Sequence, residues 1–284
     1  MADHLSQKRV FVFACADLSE KGESFSCSKL SKGPQVSTMA FPMDDIIEAI
    51  ATNNSGILYL MSKNYKEAMM SFLYSARKTK ELLLTRLRKN GGRGGLLHSQ
   101  VPFPPDQRRH SSQFTMELVD FGTTELGAAE LSDEEDHISS LVCRNAIFVR
   151  QIAPQTPIVD DLTSITVSAL YNLAITNHLA GIDHRCTSKL EMAVQCYELV
   201  LSMQKVGTTA GLSTPHVMSA LNNVAMIHRV LNNENKLRRN LQQLFVIMAH
   251  IDTRDGERNE RYWMQYLRNI TSLFLHPSIT AKAA

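Results

Sequence analysis

What this chain has little of narrows its function first. Cysteine is sparse and odd in number: Cys15, Cys27, Cys143, Cys186 and Cys196 make five, and no two stand at a C-x-x-C spacing. A disulfide framework or a cysteine-based zinc module is therefore not expected, and the chain suits a reducing, cytoplasmic compartment. No apolar run approaches the roughly 18 residues that a membrane span needs, so no membrane association is expected. Charge of one sign is also missing, with 30 basic residues against 28 acidic ones. That balance argues against a general reader of nucleic acid, whose surface carries a large basic excess. The short signatures of catalysis are absent too: there is no P-loop, dinucleotide fingerprint, H-E-x-x-H or nucleophile elbow. Neither an enzymatic activity nor a cofactor is expected. His178, His184 and Cys186 gather in one stretch with Cys196 further on, but zinc wants four ligands in consistent geometry. Incidental histidines and cysteines explain the cluster, and no metal is expected.

What is present is helical periodicity in an otherwise ordinary apolar share of 44%. The N-terminal segment, 1–43, shows no helical period. Within it Lys8-Arg9 precedes a short apolar stretch ending in Ala14-Cys15-Ala16, as a signal peptide would. That stretch is only seven residues long and Asp3 is out of place, so alternating Val10, Val12 and Ala14 predict a short strand instead. From 44 to 90 the pattern is a helical hairpin. Ile46, Ile47, Ile50, Ile57, Leu58 and Met61 recur at helical spacing behind Asp44 and Asp45. Asn64-x-x-Glu67 then reads as a capping box opening a second helix with Ala68, Met69, Phe72, Leu73 and Ala76.

The layout returns twice. Residues 162–206 give a helix, a loop expected at 181–187, and a second helix opened by Ser188-x-x-Glu191. Residues 213–252 give a third pair, begun by Ser213-Thr214-Pro215, with Pro near the first turn where its missing N–H costs nothing. An amphipathic helix at 255–276 carries Trp263, Tyr266, Leu267 and Ile270, and suits the covering of a last apolar face. The expected fold is thus mainly all-α, stacked antiparallel hairpins interrupted by a long insertion at 91–161.

The first helices share a core in matching register: Asn54-Ser55-Gly56, Asn172-Leu173-Ala174 and Asn223-Val224-Ala225. Small residues Gly56, Ala174 and Ala225 fall where two helices would approach closely. Gly56 is followed twelve residues later by Ala68 and then by Phe72; the equivalents are Ala193 and Tyr197, then Leu237 and Leu241. This pattern resembles the tetratricopeptide repeat, most clearly over Asn54-Ser55-Gly56-Ile57-Leu58-Tyr59 and Asn64-Tyr65-Lys66-Glu67-Ala68. The asparagines are 118 and 51 residues apart (172 minus 54, 223 minus 172), against a unit of about 34. Seven of the excess residues fall in the second hairpin's loop. The resemblance implies a stacked-hairpin solenoid with a groove lined by first helices. Asn54, Asn172 and Asn223 look like the asparagine ladder of the kinesin-light-chain subgroup. A carboxamide offers both donor and acceptor, so it can pair with both groups of an extended peptide backbone. The implied partner is another protein, held through an extended segment, with Tyr171, Ile175, His178, Met226 and Arg229 supplying specificity. The same asparagines could instead bond a neighbouring hairpin and fix the stack. The carboxylate clamp that some members use for chaperone tails is not expected, because Asn53, Ile57, Ser219 and Asn223 fill positions where its cations and second amide belong.

The insertion carries Gly91-Gly92-Arg93-Gly94-Gly95 and Pro102, Pro104 and Pro105, a loop composition. Residues 77–109 hold nine basic and two acidic side chains, while 117–136 hold eight acidic and none basic. The basic stretch offers a second function class, contact with RNA. Ser111 after Arg108-Arg109-His110, and Ser132 before Asp133-Glu134-Glu135, are candidate phosphorylation sites. Inside the insertion, 114–121 and 145–152 alternate apolar and polar residues and predict a small β-hairpin.

Overall fold

A computed structural model describes residues 43–91, 114–121, 142–151, 159–204, 214–250, 264 and 266–271. The architecture is mostly helical: α1 (Met43–Met61), α2 (Tyr65–Gly91), α3 (Val159–Asp183), α4 (Thr187–Gln204), α5 (Thr214–Val230) and α6 (Glu234–His250). Each helix packs on the next in sequence, so the chain builds three hairpins side by side. Strands β1 (Phe114–Asp120) and β2 (Asn145–Gln151) form a two-stranded antiparallel sheet, with Leu118 opposite Ile147 and Met116 opposite Val149. Both strands lie where alternation of apolar and polar residues places them. The expected strand near residues 10–16, both candidate serines, Ser111 and Ser132, and the basic residues beyond Gly91 lie outside the described residues.

The three hairpin turns are built alike. Lys63, Arg185 and Asn232 each take a left-handed conformation, with φ of 57°, 48° and 53°. Behind each, the next amide reaches back five residues: Asn64 N–H to Tyr59 O, Cys186 N–H to Gly181 O and Asn233 N–H to His228 O, each at 2.8 Å. That is a helix stop which satisfies an orphan carbonyl. Asn64, Cys186 and Asn233 then start the second helices by accepting from Ala68, Leu190 and Leu237.

This geometry corrects the reading of the second hairpin. The seven extra residues are not loop. Helix α3 continues to Asp183, and its turn is as short as the other two. Gly181 suggested a loop because glycine is a poor helix former; it sits inside the helix because a side chain there would collide. A Cβ on Gly181 would stand 2.6 Å from Leu190 Cδ2, and one on Gly56 would stand 2.7 Å from the Phe72 ring. The expected capping box at Ser188 is also displaced, since α4 begins at Thr187 behind Cys186.

Helix α3 is the centre of the fold. From Ser164 to Gly181 every residue is buried, because α2 and α4 flank it and β2, α1 and α5 reach it as well. A helix covered on all sides shows no polar stripe. Four of its polar side chains bond within the helix, Thr166 donating to Leu162 O, Ser168 to Ser164 O, Thr176 to Asn172 O and Asn177 to Leu173 O, while Asn177 Oδ1 and both His178 ring nitrogens are buried without a hydrogen-bond partner. At the far end, Tyr266 and Ile270 pack with Met218, Leu221 and Ala225 of α5 and with Leu237, Leu241 and Leu244 of α6. The helical residues 266–271 thus cover part of the third hairpin. No helix among the described residues is long and apolar enough to cross a membrane.

Candidate functional site

The three asparagines of the first helices all face one extended stretch, residues 142–151 of this same chain. Asn223 on α5 accepts from Cys143 N–H at 2.8 Å and donates to Cys143 O at 3.1 Å. Asn172 on α3 accepts from Ile147 N–H at 2.7 Å and donates to Ile147 O at 2.9 Å. Asn54 on α1 accepts from Val149 N–H at 3.1 Å and donates to Val149 O at 2.9 Å. Each carboxamide therefore pairs with both backbone groups of a single residue, as a neighbouring strand would.

The arithmetic of a strand explains why the clamps land on residues 143, 147 and 149. Backbone groups on one edge of a strand belong to alternate residues. Arg144 uses its carbonyl on the other edge, accepting from Phe121 N–H at 3.2 Å. Strand β2 thus has β1 along one edge and asparagines along the other. The six steps from Cys143 to Val149 span about 20 Å at roughly 3.3 Å each. Two steps between stacked hairpins then average about 10 Å, a normal helix packing distance. The segment runs from the third hairpin to the first, opposite to their order in the sequence.

The steps are unequal, four residues and then two, and the turns show why. Asn54 and Asn223 each stand nine residues before their left-handed turn residue, whereas Asn172 stands thirteen before Arg185 (185 minus 172). The matching register expected for all three therefore holds for the outer pair alone. Asn172 sits one helical turn, about 6 Å, further from its hairpin turn. The position matching Asn54 in the second hairpin is filled by Thr176, which bonds within its own helix.

A second tier of amides supports the first. Asn53 accepts from Asn172 Nδ2 at 3.0 Å and donates to Ile147 O at 3.2 Å, so the first and second hairpins are joined through the clamp. Asn223 also donates to the Tyr197 hydroxyl at 3.0 Å, and Asn222 accepts from Asn269 at 2.8 Å. Asn53, Asn222, Tyr197 and Asn269 were not singled out as site residues from sequence. The doubled asparagines at 53–54 and 222–223 were the available signal. The amides thus bond between hairpins, as expected of a role in the stack, and at the same time hold backbone of this same chain.

Apolar packing completes the burial of this segment. Val142, Ala146, Ile147 and Val149 are almost fully buried, as is Cys143. They join three separate hydrophobic clusters, one around α3, one around α5 and α6, and one between α1, α2 and the start of α3. Arg150 is exposed and pairs with Glu117 across the sheet. Of the expected specificity residues, Tyr171, Ile175, His178 and Met226 are wholly buried and Arg229 is half-buried. Tyr171 stacks edge-on against Tyr197 and His216, and His178 against Tyr197. Tyr171 and Ile175 belong to the core cluster that also holds Ala146 and Ile147, and Met226 to the one that holds Cys143. Burial, with a smaller push from Arg144, lowers the His178 pKa to about 3. Burial also pushes the Cys143 thiol up to about 12, where it is a small apolar group and no nucleophile. His184 stacks on Tyr65, and Cys186 meets Ser188 at the start of α4. Among the described residues no group of three or more His, Cys, Asp or Glu is placed to hold a metal. Of the basic stretch, Lys78 is held by Asp45 and Glu48 on α1.

Comparison with known proteins yields no match to a family model, a curated protein or a solved structure.

Proposed function

We propose that this chain is a protein-interaction adaptor, a tetratricopeptide-like stack of helical hairpins whose first helices hold an extended segment of a partner protein. One observation carries the reading. Three carboxamides on three successive first helices each engage both backbone groups of one residue in an extended segment. Such clamps read backbone alone, so they serve any chain of the right shape. The occupant described above is the protein's own segment, and a partner's segment uses the same clamps in its place. No catalytic or RNA-binding step enters this reading, and Lys78 at the head of the basic stretch is engaged by carboxylates of α1.

The test is capture of partners by the full chain against an Asn54→Ala, Asn223→Ala double variant, with folding checked by circular dichroism. Partners recovered by the first and lost by a folded second support the adaptor. Equal recovery by both would sink it. The conservative variants Asn54→Gln and Asn223→Gln, which keep donor and acceptor on a longer arm, are expected to recover part of the capture.

A further inference from the structure

The occupied groove describes its own ligand. The three clamps themselves engage only the N–H and C=O groups of residues 143, 147 and 149, and the Cys143 thiol in addition accepts from Asn222 Nδ2 at 3.2 Å. Selectivity lies instead in the buried side chains, of which Asn145 is polar and uncharged and the other five are apolar. Val142, Cys143, Ala146, Ile147 and Val149 are all small or medium-sized and uncharged, whereas Arg150 projects into solvent. A charged residue at any of the five buried places would lose its water without a partner. Direction is determined as well, since an unequal spacing of four and then two residues fits the staggered asparagines one way round only. β1 adds backbone pairing along the free edge of whatever strand lies there.

We infer that residues 142–149 are a built-in ligand. The partner segment that replaces them is extended, uncharged at the same five places, and runs from the third hairpin toward the first. This rests on the adaptor reading above and adds the chemistry and polarity of the segment recognised. The own segment, being tethered, competes at a high effective concentration. A free segment therefore binds with an apparent affinity reduced by the fraction of open grooves.

Two measurements test this on the full chain. The first is hydrogen exchange of the amides of Cys143, Ile147 and Val149 in the unaltered protein. A built-in ligand leaves without global unfolding, so these amides are expected to exchange at least about tenfold faster than those of Leu170 and Ala174 inside α3. Equal rates overturn the inference. The second uses two labelled peptides, one with the sequence of residues 140–153 and one with that sequence reversed. The forward peptide is expected to bind an Ile147→Ala chain at least about tenfold more tightly than the unaltered chain, because truncation loosens the own segment. The reversed peptide is expected to bind neither. Equal binding of the reversed peptide overturns the inference about pattern and direction and leaves the adaptor reading standing. Binding of neither peptide to a folded Ile147→Ala chain overturns both. Should Ile147→Ala fail to fold, the exchange rates of the unaltered protein decide.

Discussion

Asn172→Ala is the substitution whose cost is best determined by the structure. Its carboxamide sits fully buried and serves three partners: Ile147 N–H, Ile147 O and Asn53 Oδ1. Truncation leaves Ile147 O with the weaker donor Asn53 Nδ2 at 3.2 Å. It leaves Ile147 N–H and Asn53 Oδ1 without their partner, and both lie where water does not reach. Each buried orphan costs about 1–3 kcal/mol, so the loss is expected at about 2–6 kcal/mol. Asn54→Ala removes a similar pair of bonds from a half-buried site at the edge of the stack. Water can replace those partners, and the expected loss is about 0.5–1.5 kcal/mol. The contrast between the two, not either value alone, is the test. Asn172→Asp retains the acceptor for Ile147 N–H but loses both donors and buries a charge, so it is expected to cost at least as much as Ala. Urea denaturation monitored by circular dichroism measures all three. Asn172→Ala within about 0.5 kcal/mol of Asn54→Ala would refute the argument that burial of the clamp sets its worth.

Three other outcomes are expected. Gly56→Ala brings a Cβ to 2.7 Å from the buried Phe72 ring; despite a helix-propensity gain near 1 kcal/mol, a net loss of about 1–2 kcal/mol is expected, and Phe72→Leu in the same chain should recover part of the lost melting temperature. His178, with a pKa lowered to about 3 by burial, is neutral in the folded chain and charged in the unfolded chain between that value and about 6.5. The unfolded state binds the extra proton there, so stability falls as pH falls through this window, by about 1.4 kcal/mol per unit and about 2 kcal/mol by pH 5; a chain with His178→Phe, which retains a ring against Tyr197, should lose that slope in denaturation curves taken from pH 8 to pH 5. Finally, iodoacetamide followed by mass spectrometry should label Cys186, whose thiol pKa is lowered by Ser188 and the Lys189 amide, well before Cys143 or Cys196, which are buried; equal labelling of Cys143 would contradict its place under the Asn223 clamp.

Much of this was legible in the residues. Helical spacing gave three hairpins because an amphipathic helix must repeat its apolar face every three or four residues, as Ile46, Ile50 and Ile57 do. Alternation in 114–121 and 145–152 marks two strands for the same reason with a period of two, and they form over Phe114–Asp120 and Asn145–Gln151. The length of α3 was not legible. Gly181 punctuates a helix in sequence, and only the proximity of Leu190 shows why it belongs inside one. The register difference at Asn172 follows from the length of α3, since four of the seven extra residues lengthen it ahead of its turn.

The sequence by itself determined that Asn54, Asn172 and Asn223 sit on first helices, where a group that can both donate and accept suits an extended backbone. It could not determine whose backbone. That is a question of which distant segment reaches the groove, and a strand separated from Asn54 by some 95 residues leaves no periodic trace of its destination. Tertiary structure decided it by burying Val142, Ala146, Ile147 and Val149 beside the clamps. The carboxamides select for shape and the apolar contacts select for side chains, and this chain supplies both itself.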